Sequence, residues 1–448
     1  MSKLATRLWG SAVVAASLPG QSAVPFWPRE RIAALRDRRL RRLVAYAAAT
    51  VPHYRELFRR EGIDPRSIRG AADLERLPLL DREHVRADPE RFVSESRAAR
   101  GALQFTTSGS TATPLRVFHD RASVLRNMAY GERERQPIIA GTGGGFRPKE
   151  LYVGSADSTF TRVIAFYREA TLLPMRPRRH WVSVLQPVEE IVALVNRERP
   201  DVIVGYGGWQ DLFFKTVAAR GLGLHRPKLV VYMAEALPPG ARELIEGHFG
   251  IPVLSRYSAA ECFKIGFYCE ARTGFHLHED LCHVRIVRAD GTTASAGESG
   301  RVVLTNLVNR GSVLINYPLG DVAAQPGTTC PCGRTFALLS ELEGRVEDIL
   351  ALADGRFLHP RAIFHVFKSD PDVLQYQLTQ YERQRFALTL ATLDDAAFAR
   401  AWARARPALE TLLAPAPVIE ARRATEISYG SGRKFRAVAS RCARPASA

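Results

Sequence analysis

From residue 29 to about residue 60, apolar positions return every three or four residues: Leu35, Leu40, Leu43 and Val44, then Tyr46 and Ala47. That period predicts a helix with one buried stripe. A second helix is expected from Pro52 in "VPHYRELF", and a short third in "DLERLPLLDREHVR", with Asp81 as its N-cap. Between residues 101 and 260 the texture changes. "ELYVGS" (150–155) and "DVIVGYG" (201–207) read as buried strands, and "WQDLFFKTVAARG" as the helix after the second, ended by Gly221. "KLVVYMAEAL" reads as a strand, "PPGARELIEGHFG" as a helix, and "IPVLSRYSAAE" as a strand running into a loop. Alternation of this kind predicts an α/β fold with mostly parallel strands, whose ligands sit at the carboxyl ends of the strands.

From residue 283 strands follow one another. "HVRIVRADGTTASAGESGRVVLTNL" predicts a hairpin turning at Asp290-Gly291, then a second strand pair. After "GRVEDIL" (344–350) a separate segment begins, with "VLQYQLTQ" and "FALTLATL" as strands and "DAAFARAWARARPALETLL" as a helix. With 448 residues, two or three domains are expected. The boundary falls at 345/346, and residues 1–100 form a helical entry segment to the first domain.

Composition is that of a globular protein, 46% hydrophobic and 24% charged. No stretch reaches the roughly 18 apolar residues of a membrane span. The apolar run after Lys3 and Arg7 reads as an amphipathic first helix rather than a leader. The net charge of +17 invites anionic partners. Only seven of the 63 basic residues are lysine, however, and the arginines are spread along the chain apart from "RDRRLRR" (36–42). A specific nucleic-acid role is therefore not expected; anionic small substrates fit such a surface.

The stretch "QFTTSGSTATPLRV" (104–117) is distinctive. Six of the nine residues from Thr106 to Pro114 carry a hydroxyl, one is glycine and none is charged. Such loops let amides and hydroxyls converge on phosphate oxygens. It lacks the Gly-Lys-Ser/Thr ending of the P-loop, which disfavours a nucleotide kinase or GTPase. Four further marks follow in order. "YSAAE" (257–261) offers an aromatic to stack on a base and a carboxylate for a metal. "YPLGD" (317–321) places Asp321 where it could accept from ribose hydroxyls. "GRVEDIL" precedes the change of domain, and "GSGRKFRAV" (430–438) puts Lys434 in a Gly/Ser-flanked loop.

Together these marks resemble the acyl-adenylate-forming superfamily, and within it the phenylacetate–CoA ligase family with its capsule-biosynthesis-associated relatives. The likeness includes "YAAATVPHYRELF", "LPLLDREHVR", "AEALPPGARELIEGHFG", "VVLTNLVNRGSVLINYPLGD", "CPCGRTF" and "QYQLTQ". It implies an N-terminal adenylate-forming domain of mostly parallel sheets with a β-rich subdomain, and a small α+β C-terminal lid. It implies that Thr106, Thr107, Ser108, Gly109, Ser110 and Thr111 cradle the phosphates of ATP. Tyr257 lies against adenine, Glu235 is close to the nucleotide, and Glu261 holds Mg²⁺. Asp321 binds ribose, with Arg345 nearby. Lys434 reaches from the lid to the substrate carboxylate, Glu347 is the hinge, and the Gly355 loop serves the second half-reaction. Ala112, Ser258, Ala260 and Glu347 depart from the usual family residues, none of them a charged group lost.

The cysteines fall into place against this resemblance. Cys269 and His276 in one cluster, with Cys330 and Cys332 in another, match a closed structural zinc site, His278 being the rival of His276. Cys262, Cys282 and Cys442 read as packing or surface residues. His180 reads as solvated, "GTGGG" (141–145) as a plain connection, and Trp209, Phe213 and Phe214 as helix core rather than pocket wall. The acid pocket is expected around 205–214, 233–237 and 257–260. The expected activity is adenylation of a carboxylic acid, aryl or arylacetic, with transfer to coenzyme A. An amine, hydroxyl or sugar acceptor, or a catalytically silent nucleotide-binding homologue, are the alternatives. A cytoplasmic enzyme, and a possible homodimer, complete the expectation.

Overall fold

The computed structural model describes residues 2–107, 114–144, 147–172, 178–345, 349–358, 360–368, 370–427 and 435–442. Ser108, Gly109, Ser110, Thr111, Ala112, Gly145, Glu347 and Lys434 therefore lie outside the described residues, as does the side chain of Arg345.

The helical entry is built as its periodicity dictates. The helix Arg29–Thr50 buries Ile32, Leu40, Leu43, Val44 and Ala47 and leaves most of its arginines outward. Pro52 opens the helix Pro52–Arg60, and the Asp81 side chain accepts from the Glu83 amide at the start of Arg82–Ala87. The first helix, Lys3–Ser17, buries Gly10 and Val14 and leaves Leu4 and Leu8 exposed.

Strands β1 (Leu103–Thr106) and β2 (Arg116–His119) pair antiparallel, so the hydroxyl-rich stretch joins the two arms of a hairpin. Strands β3 (Glu150–Gly154), β4 (Arg179–Ser183), β5 (Val202–Tyr206), β6 (Leu229–Met233) and β7 (Val253–Ala259) then alternate with helices and pair in parallel. Val202 and Val204 enter one core while Ile203 enters the other, across the sheet. Burial on both faces is why these strands read as unbroken apolar runs. Trp209, Phe213 and Phe214 pack in the second core, as expected.

β7 runs into a turn at residues 260–261, as expected, and the turn leads into β8 (Cys262–Tyr268), which pairs antiparallel with β7 and then with β9 (Phe275–Leu277). β10 (Cys282–Val287), β11 (Ser299–Asn306) and β12 (Tyr317–Ala324) make a second sheet. β13 (Leu338–Leu339) returns to the edge of the first, giving eight strands in the order β13-β9-β8-β7-β6-β5-β3-β4. β14 (Gly344–Arg345) closes the second against β12.

Beyond this, β15 (Leu350–Ala351) and β16 (Phe357–Leu358) pair, and β17 (Gln375–Glu382), β18 (Arg385–Ala391), β19 (Val418–Ala424) and β20 (Val438–Ser440) form a sheet of order β19-β18-β17-β20. The helices Pro360–Phe367 and Asp395–Leu412 accompany it, around a core that draws on residues from Leu350 to Val438. Leu374, Ala391 and Ile427 instead join the core behind the large sheet. Among the described residues, no helix is long and apolar enough to cross a membrane.

Candidate active site

A cavity of about 1350 Å³ opens at the carboxyl ends of β5, β6 and β7. Its lining includes Thr106, Thr107, Glu235, Tyr257, Glu261 and Asp321 from the body of the protein, and Phe435 and Arg436 from the C-terminal segment. The residues expected around 205–214, 233–237 and 257–260 contribute Tyr206, Asp211, Ala234, Leu237, Ser258 and Ala259.

Local folding explains each placement. Thr107 is tied across the hairpin, its amide donating to the Leu115 carbonyl at 2.9 Å and its Oγ1 accepting from the Leu115 amide at 3.2 Å. Glu235 follows Ala234, which takes a φ of 68° that side chains rarely adopt. The Glu235 carboxylate accepts from the Gly208 amide at 3.1 Å and the Phe435 amide at 2.8 Å. Gly207 has to be glycine here, because a Cβ would collide with the Ala236 carbonyl.

Glu261 stands on the turn between β7 and β8. The His119 imidazole, from β2, bonds the Ala260 carbonyl at 2.7 Å, and Asn306 Nδ2 donates to the Glu261 carbonyl at 2.8 Å. The carboxylate-bearing turn is thus held by its backbone from two neighbouring elements. Burial lowers the His119 pKa to about 4, so the ring is neutral and donates through Nε2–H. It stacks on Phe263 with ring centres 4.1 Å apart.

Asp321 on β12 accepts from the Tyr257 hydroxyl at 2.7 Å and sits opposite Arg345 in the β12–β14 register. Its approach is set by Asn316, at φ 54°, whose side chain donates to the Leu74 and Leu77 carbonyls. Gly320, at φ 87°, leaves room for the Arg82 guanidinium. Sequence reasoning missed Arg82, which lines the cavity beside Asp321, and missed His119 and Asn306. A helix-borne arginine and a strand histidine carry no local motif.

The cysteine cluster assembles away from this cavity. Ligand atoms of Cys269, His276, Cys330 and Cys332 lie within 4.8 Å of one another, with Cys269 Sγ 3.5 Å from Cys330 Sγ and Cys332 Sγ 3.4 Å from His276 Nε2. Three thiols and an imidazole at such spacing fit a tetrahedral Zn²⁺. His278 turns elsewhere and bonds Glu134 at 3.1 Å. His180 is about half exposed beside Glu198.

No protein-family model matches the chain. The phenylacetate–coenzyme A ligase of Thermus thermophilus is 28% identical over 389 residues, covering 82% of this chain and 81% of that protein. A 2-hydroxyisobutyryl-CoA ligase solved in its postadenylation state superposes with a TM-score of 0.73 at 18% identity, over 94% of this chain and 91% of that one. The same ligase in its thioesterification state gives 0.58 at 19% identity, over 94% and 91%. The fold is that of the acyl-adenylate-forming ligases. In sequence the chain is similar to the phenylacetate–coenzyme A ligases.

Proposed function

We propose that this protein is a Mg²⁺- and ATP-dependent ligase that adenylates an aryl or arylacetic acid, releases pyrophosphate and passes the acyl group to coenzyme A. The observation that carries this reading is the single cavity lined by both Glu261 and Asp321 of the body and Phe435 of the C-terminal segment. In this reading Thr106 and Thr107, with residues 108–111, hold phosphate oxygens. Tyr257 stands against the adenine, Asp321 takes the ribose hydroxyls, and Arg345 lies on the adjoining strand. Glu261 is the ligand for the metal. Bound Mg²⁺ neutralises charge on the departing pyrophosphate.

The chain's own task is to bring two anions together. A carboxylate attacking a phosphorus meets repulsion, and a positioned ammonium from Lys434 offsets it. Phe435, the next residue, is held at the cavity by Glu235, which supports this role. Residues 346–448 act as a lid on a body of residues 1–345, with Glu347 as hinge and the Gly355 loop facing the second half-reaction. The better superposition on a postadenylation state than on a thioesterification state supports reading the present arrangement as the adenylating one. The cysteine–histidine cluster is a structural Zn²⁺ site without an open position, and takes no part in the chemistry.

The test is pyrophosphate release across a panel of acids, with and without coenzyme A. At least one aromatic acid should release pyrophosphate, with acyl-adenylate consumed only when coenzyme A is added. Lys434→Ala should lower release about 100-fold or more. Near-normal release by that variant would overturn the role of Lys434. Silence with every acid, alongside measurable ATP binding, would overturn the enzyme reading.

A further inference from the structure

One wall of the cavity carries ionic groups that neither nucleotide binding nor adenylation uses. Glu134, on the helix Glu132–Gly141, and Lys264, on β8, are both cavity-lining and nearly buried, with side chains 5% and 13% exposed. Lys264 Nζ donates to Glu134 Oε2 at 2.7 Å, and Arg256 Nε, on β7, stands 3.6 Å from the same oxygen. His278 bonds the other oxygen, Oε1, at 3.1 Å. Burial alone would raise the Glu134 pKa, but the charge of Lys264, the hydrogen bond from His278 and the charge of Arg256 outweigh it and keep the carboxyl ionised.

The donors exceed the acceptors. Among the described residues, Glu134 is the sole hydrogen-bond acceptor for the Lys264 ammonium, which has three N–H groups. Among the described residues, the Arg256 guanidinium, with five, has only the longer contact to that carboxylate. Two cations share one anion on the cavity wall, and Arg256, 21% exposed, presents donors to the cavity that an anionic ligand can take. Behind it, Arg133 and Arg39 share Asp280, but Arg133 also donates to Gln21 Oε1 and Arg39 to the Asp280 carbonyl, so further acceptors are supplied there.

Position gives the second half of the argument. Lys264 lies on β8 three residues beyond Glu261, which stands on the turn that opens the strand, a span of at most about 10 Å at strand rise. The cavity lining also has apolar and aromatic members, among them Phe275, Tyr167, Met128 and Ile138, and Tyr152 and Phe160 stack with centres 4.7 Å apart. An acid seated with one end at Glu261 would have its other end within reach of Lys264 and Arg256.

We propose that Lys264 and Arg256 form a distal anion subsite, and that the acid substrate is a ring-bearing dicarboxylate whose second carboxylate binds there. This rests on the adenylating function proposed above and narrows its substrate class.

The experiment compares phenylacetate with 4-carboxyphenylacetate, which differ by the distal carboxylate alone. Wild type should favour the dicarboxylate about tenfold to 100-fold in kcat/KM for pyrophosphate release, the range of a charge-assisted hydrogen bond. Arg256→Gln should lose most of that preference. So should the paired replacement Lys264→Met with Glu134→Gln, which removes the ammonium together with the carboxylate it bonds; circular dichroism and a thermal melt establish that each variant is folded. Equal rates for the two acids in wild type, or a preference kept by both folded variants, overturns the subsite while leaving the adenylating function intact. If no acid releases pyrophosphate, calorimetric titration with 4-carboxyphenylacetate decides independently. Binding lost in the two variants upholds the subsite, and absence of binding to wild type removes it.

Discussion

The backbone amide of Phe435 donates a 2.8 Å hydrogen bond to the carboxylate of Glu235, which lies 200 residues earlier in the chain. The same carboxylate accepts from Gly208, at the start of the helix Gly207–Ala219. One side chain therefore joins the C-terminal segment to the ends of β5 and β6 beside the cavity.

Replacing Glu235 should weaken that junction. A hydrogen bond to a charged acceptor contributes about 1.5–3 kcal/mol, so Glu235→Ala should slow adenylation about tenfold to 100-fold. Thioester formation from supplied acyl-adenylate should suffer less, because the function proposed above assigns it to a second lid position. Pyrophosphate exchange and thioester formation measured side by side check this. Equal losses in both steps would contradict a role confined to the adenylating arrangement.

The Tyr257–Asp321 bond makes a second expectation. At 2.7 Å it fixes both the ring and the carboxylate, on strands of different sheets. Tyr257→Phe keeps the ring and removes the hydroxyl. The KM for ATP should rise about threefold to tenfold with kcat little changed, as expected where ground state and transition state are bound alike. Asp321→Ala, which also loses the proposed ribose contact, should raise it further. Initial-rate kinetics at saturating acid measure both, and an unchanged KM in Asp321→Ala would sink the assignment.

Much of this arrangement was legible in the chain, for reasons that differ by element. β5 and β6 announce themselves because strands buried on both faces must be apolar at every position. Asp81 and Pro52 are legible because helix starts have few chemical solutions. β8 was hidden: Lys264 lies in the middle of "CFKIGFY", and a buried charge breaks the apolar run that would have marked a strand. Its partner Glu134 lies 130 positions away, on a helix whose sequence reads as a charged surface. His119, which holds the turn under Glu261, belongs to a four-residue strand with no periodicity to read. The cysteine cluster was legible as two short groups, but only the structure separates His276, within the cluster, from His278, bonded to Glu134.

Acid should destabilise the fold through its buried and half-buried histidines. Burial holds His119 and His53 at about 4 and His283 at about 3, against an ordinary 6.5. Below pH 6.5 the unfolded chain takes up protons that the native rings refuse. Stability is therefore full above that pH and falls as pH drops toward 4. His119 alone accounts for roughly 3 kcal/mol across this window, at about 1.4 kcal/mol per pKa unit. His119→Gln retains a donor toward Ala260 and cannot charge. Its melting temperature should fall less steeply than that of wild type between pH 7 and 4; parallel curves would show that the His119 ring is not the group being charged.

Removal of metal supplies the last expectation. Cys269 and His276 come from the end of β8 and from β9, and Cys330 and Cys332 from the loop that leads to β13, the strand that completes the sheet beside β9. A metal there would clamp that loop to the sheet edge, and since ligation and folding are coupled, its loss should be read as lost stability rather than altered chemistry. Protein purified without chelator should contain about one zinc per chain by elemental analysis. Cys330→Ser combined with Cys332→Ser should lose the metal and lower the melting temperature by several degrees, while any folded fraction keeps its KM for ATP, because the cavity is lined by other residues. Metal-free protein with the wild-type melting temperature would show that the four side chains are packed without an ion and that the clamp does not exist.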